Sequence, residues 1–202
     1  MAELPRRDRE ARGRLREVAG RAAPVVPAQD LVLPVPGPLG DVLPAAGVRR
    51  GSVVVVDGAT GFGATTLVLR LAAAATTAGE WAALVERDAT LGGQAAAEAG
   101  VEPARCAVVR GVPRNSWATV VAALLDGVGL VAAEVPFAPK LSDARRLIAR
   151  ARERGAVLVV QGAWPAEAAL RLHARGWRGD ELSVEVEGRG VGAHPRVTAL
   201  AG

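Results

Sequence analysis

From about residue 52 to residue 175 the chain alternates short, unbroken apolar runs with longer stretches whose apolar positions recur every three to four residues. The runs predict strands over 52–57, 82–86, 106–109, 128–132 and 156–160. The periodic stretches predict helices over 65–78, 92–99, 115–126, 142–153 and 165–175. Runs that are apolar at every position, such as VVVV at 53–56, suit strands buried on both faces, and their alternation with helices reads as parallel βαβ units. The tail changes rhythm. Segments 182–187 and 196–200 are joined by the glycine-rich GRGVG and predict a closing antiparallel pair. The expected fold class is therefore α/β, a mostly parallel central sheet flanked by helices with antiparallel strands at the C-terminal end. No internal repeat interrupts it.

Upstream the pattern differs. Ala11, Leu15, Val18, Ala19 and Ala22 recur at helical spacing with arginines and acids between them, which predicts an amphipathic arginine-rich helix over 1–22. Residues 23–44 hold six of the thirteen prolines and predict an extended linker with short turns. The core is expected over 45–202.

Composition narrows the functional classes. With 202 residues, half of them apolar, the chain can bury one substantial core. No stretch approaches the ~20 uninterrupted apolar residues needed to span a bilayer, so a cytoplasmic protein with no membrane partner is expected. The single cysteine, Cys106, lies in the apolar run CAVV and reads as a buried, inert thiol. The formal charge of +4 comes almost wholly from arginine, Lys140 being the one lysine, which permits phosphate contact without requiring it. No tyrosine and two phenylalanines leave little for stacking single-stranded bases. His173 and His194 lack metal-ligand spacing, so no metal is expected. Neither a nucleophile elbow nor an organised acid and base pair is present.

One segment carries recognisable chemistry. VVVVDGATGFGATTLVLRL places a buried strand, a glycine-rich turn and a helix start in the order of a phosphate-binding loop. Gly58, Gly63 and Thr65 meet the pattern G-x-x-x-x-G-K-[ST], Gly61 adds a further flexible position, and Thr66 follows; the lysine position holds Ala64. Backbone N–H groups and a helix dipole attract an anion without any side chain. Losing the ammonium removes a charged hydrogen bond of roughly 1.5–3 kcal/mol, a ten- to hundredfold loss of affinity. The rate of phosphoryl transfer should suffer more, since a lost donor to developing charge commonly costs about a hundred- to a thousandfold. ATP or another anion is thus expected to bind weakly, with no resident cofactor and no catalysis. A plain glycine turn of an α/β fold is the simpler alternative.

The flanking residues resemble the RecA recombinase core from Leu31 to about Gly111. GPLGDVLPAAGVRRGSVVVVDG is similar to the approach to the RecA phosphate loop. GEWAALVERDATLGGQAAAEAGVEPARCAVVR is similar to the segment bearing the glutamate that polarises the attacking water, with Asp88 at that place. VGLVAAEV resembles the strand that ends in the magnesium-organising aspartate, here Glu134, and AVLVVQG resembles the strand ending in the glutamine that senses the γ-phosphate, here Gln161. The resemblance implies a RecA-like P-loop NTPase fold whose lysine and both acids are altered. The short segments after Glu134 and Gln161 replace RecA's two DNA-binding loops.

A short RecA-like chain of this kind resembles the actinobacterial ImuA-prime proteins, relatives of ImuA and SulA-like families. That resemblance implies an accessory role in damage-induced, mutagenic translesion synthesis. The implied partner is an ImuB-type inactive Y-family polymerase homologue, with an error-prone replicative-type polymerase reached indirectly and nucleoid association on induction. Contact surfaces are expected on the N-terminal helix, at Arg7, Arg12, Arg14, Arg16, Leu15 and Val18, and at Trp164 and Trp177, which also suit a core. The same helix suits self-association or contact with RecA. Two alternatives remain open: a weak ATPase activated by a partner or by Arg70 or Arg87, and a mediator that touches DNA phosphates.

Overall fold

The structure is a computed structural model that describes residues 31–87, 91–135, 137–191 and 196–201. The described residues belong to one compact unit. In chain order its elements are β1 (Val32–Pro34), α1 (Gly37–Val42), β2 (Gly47–Arg49), β3 (Val53–Gly58), α2 (Ala64–Thr77), β4 (Ala82–Glu86), α3 (Gly93–Glu98), β5 (Cys106–Arg110), α4 (Trp117–Leu125), β6 (Leu130–Val135), α5 (Leu141–Arg154), β7 (Val157–Gly162), β8 (Leu170–Arg178), β9 (Glu181–Gly188) and β10 (Arg196–Ala201). Among the described residues, one sheet of eight strands runs in the order β10-β9-β8-β3-β7-β6-β4-β5. The six strands from β8 to β5 in that order are parallel, while β9 is antiparallel to both of its neighbours.

The period of two along each strand divides the core into two faces. Val54 and Val56 of β3, Val157 and Val159 of β7, and Leu130 and Ala132 of β6 share one buried cluster with Leu67 and Leu71 of α2. Val53, Val55, Leu158, Val160, Val131 and Ala133, the alternate residues of the same strands, share the other with α4 and α5. Those helices dock through Trp117, Val121 and Leu125 and through Ala144, Leu147 and Ala151, spaced at one helical turn. Helices on both faces of a mostly parallel sheet make the protein a three-layer α/β fold. No described helix is long and apolar enough to cross a membrane.

Two expectations are corrected. The helix expected over 165–175 does not form; its C-terminal half is β8, which pairs parallel to β3 with Val54 opposite Leu170 and Gly58 opposite Ala174. Leu170, Leu172 and Ala174 face the first core while Arg171 and His173 face away, a strand alternation inside a segment that also fits a helical template. The open side of β3 decides between them, because an unpaired central strand would leave backbone donors and acceptors unmet. The linker expected over 23–44 is likewise packed from residue 31 onward. Here β1 and β2 form an antiparallel ribbon, α1 packs against β10, and Leu33, Val35, Leu39 and Leu43 are buried in the first cluster. The prolines sit at element ends, with Pro34 closing β1 and Pro38 in the first turn of α1. The remainder of that segment, residues 23–30, and the helix expected over 1–22, with Arg7, Arg12, Arg14, Leu15, Arg16 and Val18, lie outside the described residues.

One surface junction ties α4 to α5. Asp126, just past α4, accepts hydrogen bonds from Arg150 at 2.7 Å and Arg154 at 3.1 Å. The Arg150 hydrogen bond, followed by the charges of both arginines, holds the Asp126 carboxyl below the usual carboxylate range. A carboxylate whose folded pKa is depressed stabilises the fold above its unfolded value and loses that contribution as pH falls through the lowered one. The stability difference between the native chain and Asp126→Asn, measured by urea denaturation, is therefore expected to shrink as pH drops below about 3.9. Leu33→Ala tests the packing of the proline-rich segment: with Leu33 fully buried, the substitution should cost about 2–5 kcal/mol in the same assay.

Candidate functional site

The glycine-rich loop lies at the carboxyl end of β3, where open α/β sheets place ligands. After Gly58 the chain turns through residues 59–63, closed by the Phe62 N–H donating to the Ala59 carbonyl at 2.9 Å, and then starts α2 at Ala64. Gly61 and Gly63 both lie in the left-handed region, at φ 82° and 93°. A Cβ on Gly63 would come within 2.5 Å of a methyl of buried Leu182. Gly58 answers to space, because a Cβ there would meet the Cβ and carbonyl oxygen of Ala174 on β8 at 2.9 Å. The glycines thus let the chain leave a doubly buried strand and enter a 14-residue helix within five residues.

The loop presents an uncapped helix start, since Gly63 at the N-cap offers no side chain. Ala64 supplies only a methyl where a phosphate loop has its ammonium. Thr65 is exposed, and its hydroxyl accepts a hydrogen bond from the Gln161 amide at 3.2 Å, while Thr66 is half-buried. Gln161 reaches Thr65 because β7 lies beside β3, with Val56 opposite Gln161. On the next strand Glu134 stands opposite Gln161 and accepts the Arg87 backbone N–H at 3.1 Å. The fold therefore brings Gly58, Gly61, Gly63, Ala64, Thr65, Gln161 and Glu134 to one edge of the sheet. Asp88 lies outside the described residues.

Two clusters at this edge were not singled out from the sequence. Glu86, 4% exposed at the end of β4, accepts the Leu91 N–H at 2.9 Å and pairs with Arg110, its register partner on β5. A glutamate closing the apolar run AALV signals a buried acid that needs a partner, and the partner is visible only once the strands are paired. Asp57, on β3 just before the loop, hydrogen-bonds His173 of β8 at 2.5 Å, and the other ring nitrogen of His173 lies 3.6 Å from Glu187. Among the described residues no three His, Cys, Asp or Glu side chains gather as a metal site. Cys106 is half-buried on edge strand β5, and desolvation pushes its thiol pKa up, away from the reactive thiolate.

The tryptophans separate. Trp164 is buried in the second core, where its Nε1–H donates to the Glu167 carbonyl at 3.4 Å, so it is a packing residue and not an exposed anchor. Trp177, near the end of β8, is 39% exposed. Trp81 and Phe62, unremarked in the sequence, are more exposed still.

Fold and loop together define an α/β protein with a strand, glycine turn and helix start at the carboxyl edge of a mostly parallel sheet. The chain belongs to the family described as the MT3502 N-terminal domain, whose model matches residues 41–166. That match runs from α1 through the loop after β7 and ends before β8. No curated protein matches the chain.

The two left-handed glycines should differ in their tolerance of a side chain. Gly61→Ala meets open space and should cost about 1 kcal/mol for its backbone conformation alone. Gly63→Ala should cost more, because its methyl must also displace Leu182, and thermal denaturation of the two variants side by side gives the order.

Proposed function

We propose that this chain is a non-catalytic, RecA-like accessory protein of damage-induced mutagenic translesion synthesis, acting as an adaptor for an ImuB-type inactive polymerase homologue. The observation that carries the non-catalytic part is the state of the loop. Where the resemblance to RecA places a lysine there is Ala64, and the two polar groups that it retains, Thr65 and Gln161, hydrogen-bond to each other. Gln161 and Thr65 thus each have a partner within the protein, which supports a loop that keeps its shape through its own side chains. Glu134 is similarly engaged by the Arg87 backbone. The adjacency of β3, β7, β6 and β4 supports a RecA-like reading because it brings the loop, the glutamine and the altered acid to one edge in the spatial relation that the sequence resemblance implies.

As an adaptor, the protein would use the sheet as a rigid frame and carry its partner contacts on exposed side chains, with Trp177 and the arginine-rich residues 1–22 as the candidates. Co-purification of the full chain with an ImuB-type polymerase homologue, alongside an ATP turnover assay, tests both parts. The expected result is a stable complex that forms without nucleotide, is weakened by removing residues 1–22, and shows no magnesium-dependent ATP turnover. Turnover that is abolished by Asp88→Ala would overturn the adaptor reading in favour of an ATPase.

A further inference from the structure

The helix layer formed by α4 and α5 leaves a place unfilled. Strands β7 and β8 lie on either side of β3, and a parallel connection of that kind is usually a helix. Here residues 163–169 make the connection with no regular element, as a strap whose Trp164, Ala166 and Ala168 pack on the core beneath α4 and α5. A single irregular chain is thinner than the ~10–12 Å of a helix with its side chains. Of the described helices α4 alone packs along α5, so α5 has one flank against α4 and the other standing above the strap.

The two flanks differ in chemistry. Arg150 and Arg154 turn toward α4, where both bond Asp126. About half a turn round the helix, Leu141, Arg145, Ile148 and Arg152 fall on one stripe, within about 60° of one another. Leu141 is 43% exposed, and Ile148 is half-buried on the same core as the strap's alanines. Both arginines are exposed and make no ion pair or side-chain hydrogen bond among the described residues. The stripe repeats every seven positions, Leu141 then Ile148 and Arg145 then Arg152, beside the buried Ala144 and Ala151. That is the register in which one helix packs on another, with apolar residues at the seam and the charges beside it selecting the partner. The nearby acids are engaged elsewhere: Asp143 lies 3.6 Å from Arg146, Glu153 is bonded to Arg150, and Glu167 of the strap is paired with Arg189.

We propose that this flank of α5 and the strap form a groove for an acidic amphipathic helix of a partner protein, its apolar side chains on Leu141, Ile148 and the strap's alanines and its carboxylates on Arg145 and Arg152. Charge complementarity selects the partner, because two arginines without counter-charges attract carboxylates and repel a basic helix. The leucine and isoleucine set between them favour a helix over a nucleic-acid strand, whose backbone is bound through charge. The inference rests on reading the chain as one that works by contact, though not on which polymerase it contacts.

The probe is a fluorescein-labelled peptide of about three heptads, with leucine at the seam and glutamate on both flanks so that it repels itself. It is titrated with the full chain and followed by fluorescence anisotropy. Saturable binding in the micromolar range is expected. The double variant Arg145→Glu with Arg152→Glu should weaken it at least about tenfold, and the milder Arg145→Gln about threefold, each with unchanged thermal denaturation. Leu141→Ala should weaken it about fivefold, which a purely ionic attraction would not show. The same peptide with lysine for glutamate, and an oligothymidylate strand, should not saturate. The groove is overturned if the acidic peptide does not bind, if the charge-reversed or Leu141→Ala chain binds it equally well, or if oligothymidylate binds more tightly. A chain that fails this test yet co-purifies with the polymerase homologue loses the groove and keeps the adaptor reading; one that binds the peptide but no polymerase keeps the groove and loses that partner.

Discussion

The structure depends on β3 being buried on both faces. Its four consecutive valines are each no more than 3% exposed, and burying a side chain of that size contributes about 1.5–3 kcal/mol. That gain requires a cover on each side of the sheet. On one side it is α2, the helix that leaves β3 itself; on the other it is α4, reached after β4 and β5, and α5, reached after β6. The sharp turn from β3 into α2 follows from the first requirement, and the left-handed glycines follow from the turn. The candidate loop is thus a by-product of core burial as much as of any ligand chemistry.

The same strand organises the polar edge. Parallel neighbours of β3 end in register, so Gln161 and Glu134 arrive beside the loop, and the alternation that buries Val53 to Val56 also decides which way their side chains point. On the opposite face of β3, Asp57 meets His173 because β8 occupies the remaining open side. Polar groups along this edge are matched in pairs: Glu86 forms an ion pair with Arg110, and Asp57 shares a hydrogen bond with His173.

The antiparallel extension and the N-terminal ribbon finish the first face. Leu182, Val184 and Val186 of β9 and Leu200 of β10 join the cluster that α2 covers, and Leu33, Val35, Leu39 and Leu43 close it from the proline-rich side. Prolines at the ends of β1 and α1 set the turns there and cost no sheet hydrogen bonds, so a segment that reads as a tether is instead part of the core.

The sequence by itself determined the elements whose periodicity admits a single reading: the five parallel strands β3 to β7, the helices α2 to α5 to within two residues at most ends, the closing antiparallel strands, and the glycine loop with Ala64 at the head of α2. Apolar runs and helical spacing are local, and they survive without knowledge of the neighbours. Only the tertiary structure decided what depends on pairing partners. Residues 170–178 became a strand because β3 had an unpaired side, and residues 31–44 became core because a face of the sheet was uncovered. Trp164 went inside, whereas Trp177 stayed partly exposed. Glu86 found Arg110, and Asp57 found His173, through strand register that no single-strand pattern encodes. Contacts between residues 24 and 116 positions apart arise only when the chain is folded.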